Sequence, residues 1–478
     1  MKEGTKEIPA HGEERVSKGA ICTGEAIENS AMNCAPVQGK LAPTVRPSRA
    51  ADRPWSEPLL DSRSALHAVS LEQAAVSAVA ERNHSLDALR ASALLAGVVL
   101  HAALAYLPGG APAWAVVDRN THVGFAIFVL VVHSFRLEVF FLLAGFFGRL
   151  LYLRRGGPAF WQNRLKRILL PFVLGWMLVF PLLAFCWIWA SMQAARAAIG
   201  PALATGYGHA LRELTRFVIG EKGAAFPLTH LWFLYYLLLV YAVFLGARWL
   251  LARQDGIRER WCRVADAVGR WVFGSAWGLP LAAGATGLVL LTMREWGVDT
   301  PDKTFLPHVP ALLLYSLVFA LGWQLHRQTE LLESLCRRWH WHTGAAGAAT
   351  LLALVVSGGI RANPSPVLWP LFQFAYALMM WSCIFASVGL FLRWRQTESA
   401  LWRYLADSSY WVYVIHLPIV VALQVALSRT DWSAGLKFVT VTAVATLVAL
   451  ATYHLLVRST PVGVLLNGRR VPLRLAWR

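Results

Sequence analysis

The chain has 478 residues, of which 56% are apolar (AVILMFWYC) and only 15% charged, with a mean hydropathy of +0.47. A soluble globular protein carries about 25% charge and less apolar mass, so an ordinary soluble enzyme, a disordered scaffold and a disulfide-stapled secreted module are excluded. The formal net charge of +18 follows from position: basic residues alternate from one gap between apolar tracts to the next, and no Arg/Lys stripe interleaved with aromatics points to nucleic acid.

Residues 1–83 are polar and rich in Ala, Glu, Pro and Ser, the composition of a disordered or weakly helical tail. Ser64–Arg82 reads either as an amphipathic helix on a membrane surface or as a frayed tail helix. The tail holds no signal-peptide core, so the first apolar tract is expected to act as an uncleaved anchor.

From Leu86 onward, tracts long enough to cross a ~30 Å hydrocarbon layer recur at 87–107, 123–150, 168–190, 228–250, 274–293, 308–326, 343–360, 367–392, 409–428 and 436–457. The fold class expected is an all-α polytopic membrane protein with about ten transmembrane helices, its membrane domain spanning 84–458 and a basic tail 459–478. The gaps at 148–167, 248–270, 327–342 and 393–408 and the end of the chain are rich in Lys and Arg. The alternate gaps hold only Arg119; Arg196, Arg212, Arg216 and Lys222; Arg294 and Lys303; Arg361; and Arg429 and Lys437. The positive-inside rule then puts both termini in the cytoplasm. Cys22 and Cys34 fall in the tail, Cys186 and Cys383 in spans, and Cys262 and Cys336 in cytoplasmic loops, so no structural disulfide is expected.

Ionisable groups at membrane depth are costly and are functional candidates by default. In the first span, Asp87 and Arg90 sit at the cytoplasmic mouth and His101 lies eleven residues beyond Arg90. That spacing is three turns plus ~20° and a rise of ~16 Å, so Arg90 and His101 share a face. A packing histidine and a boundary arginine would give the same pattern. The second tract holds His133, Arg136 and Glu138. His133, Arg136 and Phe140 share a face, whereas Glu138 is rotated ~200° from Arg136 and need not pair with it. Ala144-Gly145 permits either close helix approach or a break.

Arg164 and Arg167 are i,i+3 neighbours after that tract. Paired guanidinium forks suit phosphate, and a basic loop on lipid head groups would look the same. His230 and Trp232 open the fourth span, and Ser409, Tyr413 and His416 lie close to one face of the ninth. No P-loop, G-x-S-x-G or H-E-x-x-H occurs. The i,i+2 histidines of Trp339-His340-Trp341-His342 diverge on a helix, so no metal is expected.

Four elements in this order carry a resemblance: Arg90–x10–His101, Phe-Phe-Leu-Leu-Ala-Gly-Phe-Phe at 140–147, Arg164-x-x-Arg167 before Ile-Leu-Leu-Pro, and Ser-Tyr-Trp-Val-Tyr-Val-Ile-His-Leu-Pro at 409–418. Over residues 84–458 the chain resembles acyltransferase family 3, the integral-membrane O-acyltransferases. His133-Ser134-Phe135-Arg136 and His230-Leu231-Trp232-Phe233-Leu234 are similar to its glucan-succinylating branch. The resemblance implies transfer of an acyl group from cytoplasmic acyl-CoA (succinyl-CoA or acetyl-CoA), as co-substrate with no bound cofactor, to a hydroxyl of an extracytoplasmic glycan across a bacterial inner membrane, with succinyl on a periplasmic glucan the first pairing and acetyl on an exopolysaccharide or lipopolysaccharide the second. It implies that His101 is the essential histidine, Arg90 its partner in holding acyl-CoA, and Arg164 and Arg167 the cytoplasmic arginine pair. Asp87, His133, Arg136, Glu138, His230, Trp232, Ser409, Tyr413 and His416 are supporting or acceptor-site candidates. Two other classes fit the residues: a transporter of a saccharide or small solute, and a non-catalytic subunit of a polysaccharide assembly.

Overall fold

The computed structural model describes residues 84–110, 114–199, 227–251, 253, 255–363, 365–394 and 399–468. The expected tail 1–83, its segment Ser64–Arg82 and most of the long gap between the third and fourth spans lie outside them. Regular structure among the described residues is helical throughout, as the apolar composition dictates: in lipid, every backbone N–H and C=O must be satisfied within the segment.

The helices are α1 (His84–Ala103), α2 (Val123–Arg164), α3 (Leu170–Ile199), α4 (Trp232–Leu251), α5 (Asp255–Gly269), α6 (Gly278–Leu290), α7 (Val309–Arg327), α8 (Leu331–Arg337), α9 (Trp339–Ala362), α10 (Leu368–Trp394), α11 (Ala400–Leu427), α12 (Ala434–Thr452) and α13 (Pro461–Asn467). Eight helical stretches among the described residues are long and apolar enough to cross a membrane. One of them, Val123–Ala194, runs for 72 residues. At 1.5 Å per residue it measures ~108 Å, over three times the hydrocarbon thickness, so it carries both the second and the third expected spans. Gly156 (φ 71°, ψ 171°) interrupts it.

The fifth expected span differs from the sequence reading. The run 274–293 is apolar throughout, but its helix α6 has only 13 residues, about 20 Å. It forms a bent pair with Gly256–Gly274, the axis turning by 112° between the two legs. The corner requires glycine, because a Cβ on Gly278 would lie 1.9 Å from the Val272 carbonyl oxygen.

Helix α1 is central, packing against α2, α10, α11 and α12. Helices α2 and α7 cross at backbone contact through two glycines. A Cβ on Gly145 would lie 2.0 Å from Phe319 O, and one on Gly322 1.9 Å from Leu142 O. Small residues allow this approach where no hydrophobic effect drives helix association. Ala144-Gly145 is thus a close approach and not a break. Apolar side chains left exposed on the outer helices, such as Phe185, Leu288, Val355 and Leu447, are those a bilayer covers.

After α1 the chain turns at Pro108-Gly109-Gly110, both glycines at φ 79°, and returns over the end of the helix. Asp118 N donates to Ala105 O and His122 N to Tyr106 O. The returning segment is fixed by a fully buried ion pair, with Lys437 Nζ 2.9 and 3.0 Å from the two Asp118 carboxylate oxygens. At the far end of the chain, α13 is held by Asn467 Nδ2 donating to Tyr453 OH.

Candidate active site

One stripe of α1 organises the site. Arg90, Gly97 and His101 recur at spacings of seven and four residues and so lie along one face. Each meets a feature at a successive level. The Arg90 guanidinium lies over the Phe147 ring, 5.9 Å from its centroid. Gly97 abuts Arg136, where a Cβ would come within 2.5 Å of Nη1. These contacts run down α1 and up α2, so the two helices are antiparallel along this stripe. His101, three turns above Arg90, keeps part of its surface open, as do His133 and Arg136.

His101 Nδ1 is 2.9 Å from His416 Nε2. His416 Nδ1 is 2.7 Å from Tyr413 O and 3.1 Å from Val412 O. Carbonyl oxygens only accept, so Nδ1 of His416 carries a proton and, in the neutral ring, its Nε2 is an acceptor. His101 Nδ1–H therefore donates to it. The remaining nitrogen, His101 Nε2, holds a free lone pair. A sequence of hydrogen bonds that starts at a backbone carbonyl thus selects the tautomer that can act as a base.

Other groups enclose the pair. His230 stands in a short turn, Thr229–Leu231, that begins at an unusual positive φ (Thr229, 55°). A β-branched residue reaches that region only when its surroundings hold it there. His230 Nε2 donates to Tyr413 O at 3.0 Å and lies 3.2 Å from Val414 O, leaving its buried Nδ1 without a partner. Its ring is 5.0 Å from His416 and 6.5 Å from His101, centroid to centroid. Arg136 is the cation common to the surroundings of His101, His133, His230 and His416. Its Nε is buried without a hydrogen-bond partner.

Trp114, on the returning segment, stacks on His101 with centroids 5.7 Å apart and planes within 6°. Gln424 of α11 fixes both partners: Oε1 accepts from Trp114 Nε1 at 3.0 Å, and Nε2 donates to His101 O at 3.0 Å and Ala102 O at 3.1 Å. Trp187 meets the edge of Trp114 at 5.9 Å.

The candidates separate into groups. His101, His133, Arg136, His230 and His416 converge. His133 Nδ1 lies 3.4 Å from Tyr376 OH. Glu138 is buried beside Tyr315 and Tyr376, with Oε2 unpartnered and no ion pair to Arg136 among the described residues. Tyr413 is committed to the scaffold, its hydroxyl donating to His230 O at 2.7 Å. Ser409 bonds within its own helix, to Ala406 O. Trp232 packs against Tyr236 and Tyr315 in the aromatic core.

Asp87 pairs with Arg90 at 3.2 Å. Arg164 lies against the Phe160 and Tyr241 rings, 5.1 and 5.3 Å from their centroids. The Tyr241 hydroxyl lies 3.5 Å from Arg164 Nη1 and donates to Ala144 O, which ties Arg164 to the stretch of α2 within one turn of Phe147, the ring under Arg90. Arg167 lies in the π-turn Leu165–Leu169, with Arg164 and Arg155 in its electrostatic surroundings. No group of three or more His, Cys, Asp or Glu among the described residues is arranged to hold a metal ion.

Gly97, Trp114 and Gln424 were not singled out from the sequence. Gln424 had a signal, a buried amide inside an apolar run. The other two become visible only through tertiary contact.

The fold and site define a polytopic membrane protein with a paired, partly open imidazole inside its helix bundle. A family model described as "Acyltransferase domain", that of acyltransferase family 3, matches residues 83–454. The chain belongs to this acyltransferase family. It is also similar to the glucans biosynthesis protein C of Escherichia coli strain SMS-3-5 (34% identical) and strain K12 (33% identical). Each match covers 92 residues, 19% of this chain and 23% of the relative. The chain thus spans less than a quarter of the curated relatives it matches. No solved structure matches it.

Proposed function

We propose that the chain moves an acyl group from cytoplasmic acyl-CoA to a hydroxyl of an extracytoplasmic glycan at a bacterial inner membrane, with succinyl on a periplasmic glucan as the first pair to test. The observation that carries this reading is the His101–His416 contact, which leaves a basic nitrogen on a half-buried imidazole.

The donor is a polyphosphate on a long pantetheine arm. Arg90, Arg164 and Arg167 would hold the phosphates, as charge-assisted guanidinium contacts do. The arm would run along the α1 stripe, whose ~16 Å rise brings the thioester to His101. His101 Nε2 takes the hydroxyl proton as the oxygen attacks the thioester carbon, a step worth roughly 10²–10⁴-fold. Negative charge then develops on the carbonyl oxygen. Arg136 is the cation beside it, and a preorganised donor in a water-poor site stabilises such an oxyanion strongly. Collapse breaks the C–S bond, and the CoA thiolate recovers the proton from His101. Thioester and alcohol become ester and thiol with no net change in protons. Trp114 and Trp187 offer aromatic surface beside the base for the C–H faces of a sugar ring.

The test supplies labelled acyl-CoA and glucan to the reconstituted full chain and reads the acceptor by mass spectrometry. Covalent label on the glycan supports the reading. Movement of glycan across the bilayer without label on it would favour a transporter.

A further inference from the structure

Helix α5 is unlike the others. Fifteen residues, Asp-Gly-Ile-Arg-Glu-Arg-Trp-Cys-Arg-Val-Ala-Asp-Ala-Val-Gly, hold too many charges to cross a membrane. Ile257, Trp261, Val264 and Val268 are all exposed. At 100° per residue they fall within an arc of about 60°, a continuous apolar ridge. Trp271, in the turn that follows, extends it and is 55% exposed.

The opposite side of α5 is the side that docks. Asp266, about 180° from Ile257, accepts from Gln324 Nε2 at 2.5 Å and pairs with Arg327 Nε at 2.7 Å. Gln328 Nε2 donates to Asp266 O. The ridge therefore faces away from the protein. Arg258 flanks it on one side, Arg260 and Arg263 on the other, all exposed. The 112° bend into α6 sets the axis direction. If the apolar α6 descends into the bilayer, α5 leaves it nearly parallel to the membrane plane.

We propose that α5 lies in the membrane interface and binds anionic phospholipid, its ridge entering the acyl boundary and its arginines engaging the head-group phosphates. Amphipathic helices with basic flanks bind in this way, through buried apolar area together with attraction to anionic lipid. The charge pattern selects this occupant: three guanidiniums bracket an apolar edge that has no protein cover among the described residues. The inference rests on the membrane fold and not on the transfer reaction.

The experiment uses the purified full chain in neutral detergent. Phosphatidylglycerol and phosphatidylcholine are titrated separately, and bound lipid is counted by native mass spectrometry alongside thermal unfolding. Wild type should retain phosphatidylglycerol preferentially, and the triple variant Arg258→Gln, Arg260→Gln, Arg263→Gln should lose that preference by roughly tenfold or more with phosphatidylcholine retention unchanged. Equal lipid preference in wild type and variant overturns the proposal. A second variant, Trp261→Ser with Val264→Ser, should weaken retention of both lipids without altering the mass of the protein assembly. Dissociation of an oligomer by that variant would make the ridge a protein interface and overturn the proposal as well.

Discussion

His416 Nε2 stands 2.9 Å from His101 Nδ1, with the two rings 5.1 Å apart and inclined by 25°. The residues are 315 positions apart in sequence, and the contact joins the first described span to α11. Its consequence is a defined tautomer. In the proposed reaction His416 would act through His101, as a positioning residue. Replacing it with Phe keeps a flat ring and removes the acceptor, so His101 can adopt the other tautomer. The expected result is a fall in kcat of about 10²–10³-fold with little change in KM for acyl-CoA. Steady-state kinetics on reconstituted protein check this. An equal loss through KM alone would point to a purely structural role.

Gly97 is the second relationship that can be tested. Its missing side chain is the space the Arg136 guanidinium occupies. Gly97→Val should push Arg136 away from His101 and lower kcat by about 10²-fold or more, in the range for losing an oxyanion donor. Arg136→Lys should do the same, because an ammonium lacks the planar fork. Thermal unfolding in detergent separates this from misfolding: both proteins should unfold near the wild-type temperature.

The buried Lys437–Asp118 pair fixes the segment that carries Trp114. Removing one partner leaves an uncompensated charge, with an expected loss of about 3–5 kcal/mol in stability. Lys437→Met and Asp118→Leu should each be strongly destabilised. The double variant should recover most of the loss, since apolar residues often replace a buried pair at little cost. A double variant as unstable as the singles would mean that the pair acts through more than charge compensation.

At the α2–α7 crossing, Gly145→Ala forces a methyl against backbone and should cost about 1–3 kcal/mol. Gly284→Ala, where nothing lies within 4 Å of the added carbon, is the matched control and should leave the unfolding temperature unchanged.

The helical spans were legible because lipid demands long apolar runs, and each expected tract falls on helix. The fifth was misjudged in form: hydropathy sees the apolar run 274–293 but not the corner at Gly278, which depends on backbone meeting backbone. The site was legible where an imidazole or a guanidinium interrupts an apolar run, as at His101, Arg136, His230 and His416, but not at the amide of Gln424. Trp114 was not, because it reaches the site only when the chain folds back over α1. Gly97 looked like any small residue in a membrane helix. Ser409 lies close to the helix face of His416 and Trp232 follows His230 by two residues, yet they are engaged by a backbone carbonyl and by an aromatic core.

The central claim concerns one nitrogen of His101. Wild type and His101→Ala, each reconstituted and shown by thermal unfolding to be folded, are given labelled acyl-CoA and glycan acceptor, and covalent label on the glycan is measured. The expected result is transfer by wild type and a loss of about 10²–10⁴-fold in the variant. Transfer at the wild-type rate by folded His101→Ala would contradict the account.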